Sequence, residues 1–232
     1  MTEPTARVAM VSGAGRGIGA AVAHRLAASG WHLSLGMRRP QMAVAPSGAL
    51  LHAADVTEPG SAADWVAATG ARFGRIDAIV CNAGVMLPKS VVEATDEEMA
   101  ALFSVNVHAP QRLARAAWPY LQAAGSGRIV IIGSLSSLRV ASAISGSYAM
   151  SKFAAVALAH ALRHAGWDHG IRATAICPGF VATDMAAAVT DIPAETMTQP
   201  AEIARLVELA LDLPNTASVP EIAVNSRVEG RF

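Results

Sequence analysis

The chain alternates between two hydrophobic rhythms. Short, continuous apolar runs are followed by longer stretches in which apolar residues recur every three or four positions. The first kind reads as buried strand and the second as amphipathic helix. Strands are expected at residues 8–11, 33–37, 51–55, 76–81, 128–132, 171–177 and 222–224. Helices are expected at residues 20–29, 63–73, 96–121, 147–164 and 200–211, with Val22, Ala23 and Leu26 on the inner face of the first. Gly30 and Gly166 stand where helices should stop. Asp96, Glu97 and Glu98 open the third helix, where acids suit the dipole. Pro110 and Pro119 should bend or interrupt it.

Strand–helix alternation predicts an α/β fold, a doubly wound parallel sheet with helices on both faces. A length of 232 residues, 53% hydrophobic and 16% charged, suits one domain, 1–232, and no linker or internal repeat interrupts it. Mean hydropathy is high at +0.37, and alanine carries much of it. No run approaches the ~18 apolar residues of a membrane span, and residues 8–11 are too short for a signal-peptide core. Lys and Arg number 18, as do Asp and Glu, so no nucleic-acid or anionic-membrane partner is expected. Cys81 and Cys177 lie in apolar strand contexts and read as reduced core thiols of a cytoplasmic protein.

Two stretches carry chemistry. Ser12-Gly13-Ala14-Gly15-Arg16-Gly17-Ile18-Gly19 joins the first strand to the first helix. A glycine-rich turn there presents backbone N–H groups and a helix N-terminus to a phosphate. Further on, Tyr148 and Lys152 are four apart, on one face of a helix. A tyrosine has a pKa near ~10, and a neighbouring ammonium favours its phenolate. Such a pair can give or take a proton near neutrality. In isolation, a helix with one half-buried tyrosine and one exposed lysine accounts for it as well.

The combination changes the odds. Gly13-x-x-x-Gly17-x-Gly19 after Ser12, then Asn82-Ala83-Gly84, Asn106, Ser134, Tyr148, Lys152, and Pro178-Gly179 followed by Thr183 stand in order along residues 7–210. In these motifs the chain resembles the short-chain dehydrogenase/reductase family. The resemblance implies a Rossmann-like NAD(P)-binding enzyme that interconverts a small-molecule carbonyl and a secondary alcohol by hydride transfer. It implies that Tyr148 exchanges the proton, Ser134 hydrogen-bonds the substrate oxygen, and Lys152 tunes Tyr148 and meets the nicotinamide ribose. Asn106 would hold a water that links Lys152 to solvent. Gly13, Gly15, Arg16, Gly17, Ile18 and Gly19 would line the phosphates, and Asp55 and Val56 the adenine. Asn82, Ala83, Gly84, Pro178, Gly179, Val181 and Thr183 would complete the cofactor site.

Some assignments need choices. The family's serine falls at Leu135, and Ser134 is preferred because its distance from the preceding strand is right; Ser136 is the alternative. Asp55 could instead cap a local turn. The second strand ends at Met37, with Arg38 and Arg39 after it, where an acid would select NAD. Arginine suits a 2′-phosphate, so NADP(H) is favoured over NAD(H). His160 and His164 have metal-ligand spacing without a third ligand, and no metal is assigned. Met86, Leu135, Leu138, Val140, Ile144, Phe180 and Met185 are candidates for a substrate pocket or for core. Pro40, Pro46 and Gly48 leave no room for a helix after the second strand, and the C-terminal segment departs from the family's ending. Small residues on the third and fourth helices, Ala101, Ala109, Ala157 or Ala161, point to a homodimer through that face. A tetramer would need the atypical C-terminus. A cofactor-binding regulator without turnover is the alternative from another class.

Overall fold

The computed structural model describes residues 6–228. Seven strands form one parallel sheet in the order β3-β2-β1-β4-β5-β6-β7. They are β1 (Val8–Ser12), β2 (His32–Met37), β3 (Leu50–Ala53), β4 (Ala78–Cys81), β5 (Arg128–Ile132), β6 (Arg172–Pro178) and β7 (Glu221–Val224). The helices are α1 (Gly17–Ala28), α2 (Ser61–Phe73), α3 (Asp96–Phe103), α4 (Ala109–Ala123), α5 (Gly146–Gly166), α6 (Asp184–Ala187) and α7 (Pro200–Asp212). The sheet is doubly wound, as the alternation predicts.

Side chains of a strand alternate between faces, so each central strand feeds two cores. Ala9, Val11, Val80, Val130 and Ile132 join Val22 and Leu26 of α1 and Ile203 and Val207 of α7 on one side. Met10, Ile79, Cys81, Ile129 and Ile131 join Trp65 of α2, Leu113 and Leu121 of α4, and Ala155 of α5 on the other. Burial on both faces explains why these strands read as continuous apolar runs. Trp65 lies against Gly36, where a Cβ would collide with its ring, and its indole N–H donates to Ser34 at 2.8 Å.

The breaks and ends of these elements have local causes. The long third helix is two helices, α3 and α4, joined by a π turn at Ser104–His108. Pro110, in the first turn of α4, has no N–H to return to the carbonyl four residues back, that of Asn106. Pro119 sits inside α4 without ending it. Gly166 is the last residue of α5, as expected, and its bare Cα lets Ile171 pack; a Cβ there would lie 2.6 Å from Ile171 Cβ. After β2, only a single turn at Pro40–Met42 forms, as its prolines require. Among the described residues no helix is long and apolar enough to cross a membrane.

Candidate active site

Reversal of the winding between β1 and β4 opens a crevice at the carboxyl ends of the strands. Every candidate residue except Arg38, Asp55 and Val56, further out beside β2 and β3, follows β1, β4, β5 or β6 or lies on a helix facing that edge. The first turn leaves β1 with Gly13 at φ 65° and Gly17 at φ 55°, a conformation that side chains resist. A Cβ on Gly19 would meet the carbonyl of Gly13 and the Asn82 amide. That close approach lets α1 begin at Gly17, three residues before its apolar pattern does. Ser12 Oγ accepts from the backbone N–H groups of Asn82 and Ala83 at 3.0 and 3.1 Å. Asn82 Nδ2 donates back to the Ser12 and Gly13 carbonyls at 3.0 and 3.2 Å. The loops after β1 and β4 are therefore locked together.

No side chain caps the N-terminus of α1, whereas Thr95 and Glu98 form a complete capping box on α3. The exposed donors of α1 and the bare glycines before it suit a phosphate. Thr183, the residue before the short α6, faces this turn and donates its hydroxyl to the Val181 carbonyl at 3.2 Å; a Cβ on Gly17 would lie 3.2 Å from its methyl. Ile18 packs partly buried against the core. Val56 lines a small cavity of about 20 Å³ with Ser12, Ala83 and Pro110. Gly179 donates to the Val224 carbonyl at 2.8 Å, and Val181 forms a parallel bridge to Thr198, which shape the loop after β6.

The proton-transfer group is built on α5. Tyr148 and Lys152 are both buried, at 9% and 6% exposure, with Lys152 Nζ 5.7 Å from the tyrosine ring centroid. Lys152 donates to the Ile132 carbonyl at 2.9 Å. Ser134 lies just beyond β5, with its side chain near enough to Tyr148 to favour the phenolate. Its Oγ also accepts from Ser136 N–H at 3.1 Å, and Ser137 Oγ accepts from Ser134 N–H at 3.0 Å. Ser136 thus contributes its backbone to hold Ser134. Asn106 lies in the π turn. It clamps Val85 by accepting from its N–H and donating to its carbonyl, both at 3.0 Å, and donates to Ser151 Oγ at 2.9 Å. Gly84 leaves a gap between Asn106 and Lys152: a Cβ there would stand 3.4 Å from Asn106 Oδ1 and 3.6 Å from Lys152 Nζ.

Electrostatics differ from the expected pattern. Burial pushes Tyr148 up to about 12, and the Ser134 side chain beside it offsets only part of that. Burial also pushes Lys152 down to about 8. The sequence suggests a lysine that pulls the tyrosine down. In the folded protein, desolvation of both charged forms outweighs their attraction.

Other candidates separate by position. Arg16 pairs with Asp184 at 2.7 Å, an exposed link from the first turn to α6. Arg38 is exposed at the end of β2, near the carboxylate of Asp55. Asp55 Oδ1 caps its own turn, accepting from Thr57 N–H and Oγ1 at 3.0 and 2.7 Å. His160 bonds Glu221 of β7 at 2.6 Å. Leu135 is core, and Leu138 packs partly buried beneath α5. Val140, Ile144, Phe180 and Met185 remain exposed. Cys81 and Cys177 are free and buried; burial pushes Cys81 up to about 12 and raises Cys177. Ser151 and Ser137 were not anticipated. A serine three residues after Tyr148 was the available signal for the first; the second is hidden in a run of serines.

Residues 7–193 match the profile of the family described as short chain dehydrogenase. The chain belongs to that family and is an oxidoreductase. Its relatives include an agropine synthesis reductase of Rhizobium rhizogenes, 41% identical over 223 residues, which cover 94% of this chain and 52% of that protein. The chain thus spans about half the length of the first curated relatives it matches. An uncharacterized oxidoreductase of Staphylococcus saprophyticus is 31% identical over 237 residues, 97% of this chain and 99% of that one. Among solved structures, a short chain dehydrogenase from Burkholderia cenocepacia in complex with NADP has a TM-score of 0.87 at 28% identity, over 95% of this chain and 96% of that one. An alcohol dehydrogenase from the archaeon Thermococcus sibiricus complexed with 5-hydroxy-NADP has a TM-score of 0.83 at 29% identity, over 96% and 99%.

Proposed function

We propose that this enzyme interconverts a carbonyl and a secondary alcohol with a nicotinamide dinucleotide, preferring NADP(H). The observation that carries the reading is the buried Tyr148 with Ser134 and Lys152 beside it, at the same sheet edge as the uncapped N-terminus of α1. When bound, the dinucleotide supplies or accepts the hydride. Gly13, Gly15, Gly17, Ile18 and Gly19 would hold its phosphates, Val56 and the Asn82–Gly84 segment the adenosine side, and Pro178, Gly179, Val181 and Thr183 the nicotinamide side. Lys152 would hold the ribose.

The protein's part is proton transfer and orientation. Tyr148, protonated through neutral pH, gives its proton to the carbonyl oxygen in reduction and regains it in oxidation. Ser134 donates to the same oxygen and stabilises the charge that develops there. Lys152 as ammonium favours the transient phenolate. The gap at Gly84 leaves room for a water between Asn106 and Lys152, a route for the proton from solvent. A tyrosine held as the acid suits reduction as the working direction.

Cofactor preference rests on Met37 and Arg38. No acid at the end of β2 repels a 2′-phosphate, and with Arg16 paired to Asp184, Arg38 is the cation at that point. The exposed Val140, Ile144, Phe180 and Met185 leave the ends of β5 and β6 and support a substrate with an apolar portion. Buried, free thiols fit a cytoplasmic protein. Met150, Phe153, Ala157 and Ala161 form an exposed apolar stripe on α5, which supports a homodimer; Ala109 is buried and takes no part.

The deciding experiment is a carbonyl and alcohol screen that follows nicotinamide absorbance with each cofactor. Turnover of at least one class with NADPH, faster than with NADH, is expected. Tight dinucleotide binding with no turnover of any compound would favour the non-catalytic regulator. Light scattering at micromolar concentration should give a dimer mass.

A further inference from the structure

The amino end of the sheet holds a second cavity, of about 320 Å³, remote from the crevice just described. Its walls come from the segments that enter the strands: Arg7 before β1, Trp31 before β2, Asp77 before β4 and Arg128 at the start of β5. Ser126 and residues 211–215 close it.

Charge in this cavity is incompletely matched. Asp77 is used twice by Arg75, at 2.9 and 2.7 Å, and accepts from Val8 N–H at 2.8 Å. Asp212 pairs with Arg7 at 2.6 Å. Arg128 is 5% exposed, and among the described residues no carboxylate reaches it. It donates instead to the carbonyls of Gly127, Gly170 and Leu213 and to Asn215 Oδ1. Both carboxylates that line the cavity are thus engaged elsewhere, Asp77 by Arg75 and Asp212 by Arg7, which leaves the Arg128 guanidinium without one, and Arg172 stands next to Arg128 in the register of β5 and β6. Buried charges are ordinarily paired. Trp31, 5% exposed with Arg7 stacked 4.0 Å over its ring, is a second anomaly: its indole N–H is buried and has no partner. An orphan donor and an unmatched cation lining one cavity call for the same thing, an acceptor with negative charge.

We propose that this cavity binds a small oxyanion, a carboxylate or a phosphate, between Arg128, Arg7 and the indole N–H of Trp31. Leu211, Leu213 and Pro214 would flank an apolar remainder of an organic anion. The site is proposed for binding and not for turnover. Its occupation would tie the loop after α7 to the strand entries.

The test uses the full chain and ¹⁵N-labelled tryptophan, whose four side chains give four indole resonances. Trp31→Phe identifies the Trp31 signal by its disappearance while keeping an aromatic ring under Arg7. Inorganic phosphate and malonate are titrated at constant ionic strength against chloride, with and without NADPH. A saturable shift of the Trp31 resonance is expected, unchanged by NADPH and at least threefold weaker in affinity in Arg7→Gln. A shift with phosphate alone assigns a phosphate site, and one with malonate alone a carboxylate site. A Trp31 resonance unmoved by either anion overturns the proposal. So does a shift that NADPH abolishes, which would place the anion in the glycine-rich turn. Should Trp31→Phe fail to fold, the effect of Arg7→Gln on anion-induced thermal stabilisation decides the same question.

Discussion

Each end of the sheet buries one cation without a carboxylate. At the carboxyl end, Lys152 donates to the Ile132 carbonyl; at the amino end, Arg128 donates to three carbonyls and an amide. Their fates differ because their chemistry differs. Lysine can release its proton, and burial brings Lys152 down to about 8. Burial lowers Arg128 too, yet a guanidinium starts so high that it stays charged. Similar environments therefore give a titrating group at one end and a fixed charge at the other. The first can serve proton chemistry, the second only binding and structure.

The sharpest test of the carboxyl end is Tyr148→Phe. It keeps the ring and removes the proton, so turnover should fall by at least ~10², with dinucleotide binding retained by calorimetry. Near-normal turnover would remove the contrast between the ends. Ser134→Ala should lose about 10-fold or more in kcat, whereas Ser136→Ala, which keeps its backbone N–H, should change it little. The reverse ranking would move the oxyanion donor to Ser136.

Gly19→Val tests the phosphate turn without touching a titrating group. Its side chain would strike the Gly13 carbonyl and the Asn82 amide. A loss of about 1–3 kcal/mol of stability is expected from overpacking, seen as a lower melting temperature, together with weaker dinucleotide binding. Unchanged binding would show that the close approach of α1 to the turn is not needed.

The pH profile sharpens the comparison directly. Below about 8 Lys152 keeps its proton; as pH rises through that value its charge is lost, while Tyr148 stays protonated to about 12. Reductive kcat/KM should therefore be level in the neutral range and fall above about pH 8. A profile flat from pH 7 to 10 would mean that Lys152 does not titrate as its burial requires. The smallest effect is expected at Arg38, which is exposed. Arg38→Ala should raise KM for NADPH several-fold and leave NADH unchanged; equal effects on both would remove the 2′-phosphate argument.

Much of this was legible in the residues themselves. Short apolar runs named all seven strands; the five inner ones are buried on both faces nearly throughout, and such strands have one rhythm whatever surrounds them, while β3 and β7 at the edges are only partly buried. Pro40, Pro46 and Gly48 foretold the missing helix. Spacing alone placed Tyr148 and Lys152 on one helical face, since four residues make about one turn. The break of the long helix was foreseen from Pro110, but its form as a π turn that aims Asn106 at Val85 and Ser151 was not.

What the tertiary structure decided concerns partners and solvent. Which serine stands beside Tyr148 depends on how the loop after β5 coils, and in that loop Ser137 Oγ holds the Ser134 N–H. Arg16 carries the same charge in the sequence whether it meets a ligand or Asp184; only folding brings α6 beside the first turn. Likewise Arg7, Trp31 and Arg128 are far apart along the chain, and no local pattern marks them as walls of one cavity. The residues determined the elements, the glycine-rich turn and the Tyr–Lys pair, because those depend on neighbours in sequence. Burial, pairing and pKa were left to the fold, because desolvation and Coulomb energy depend on what lies nearby in space.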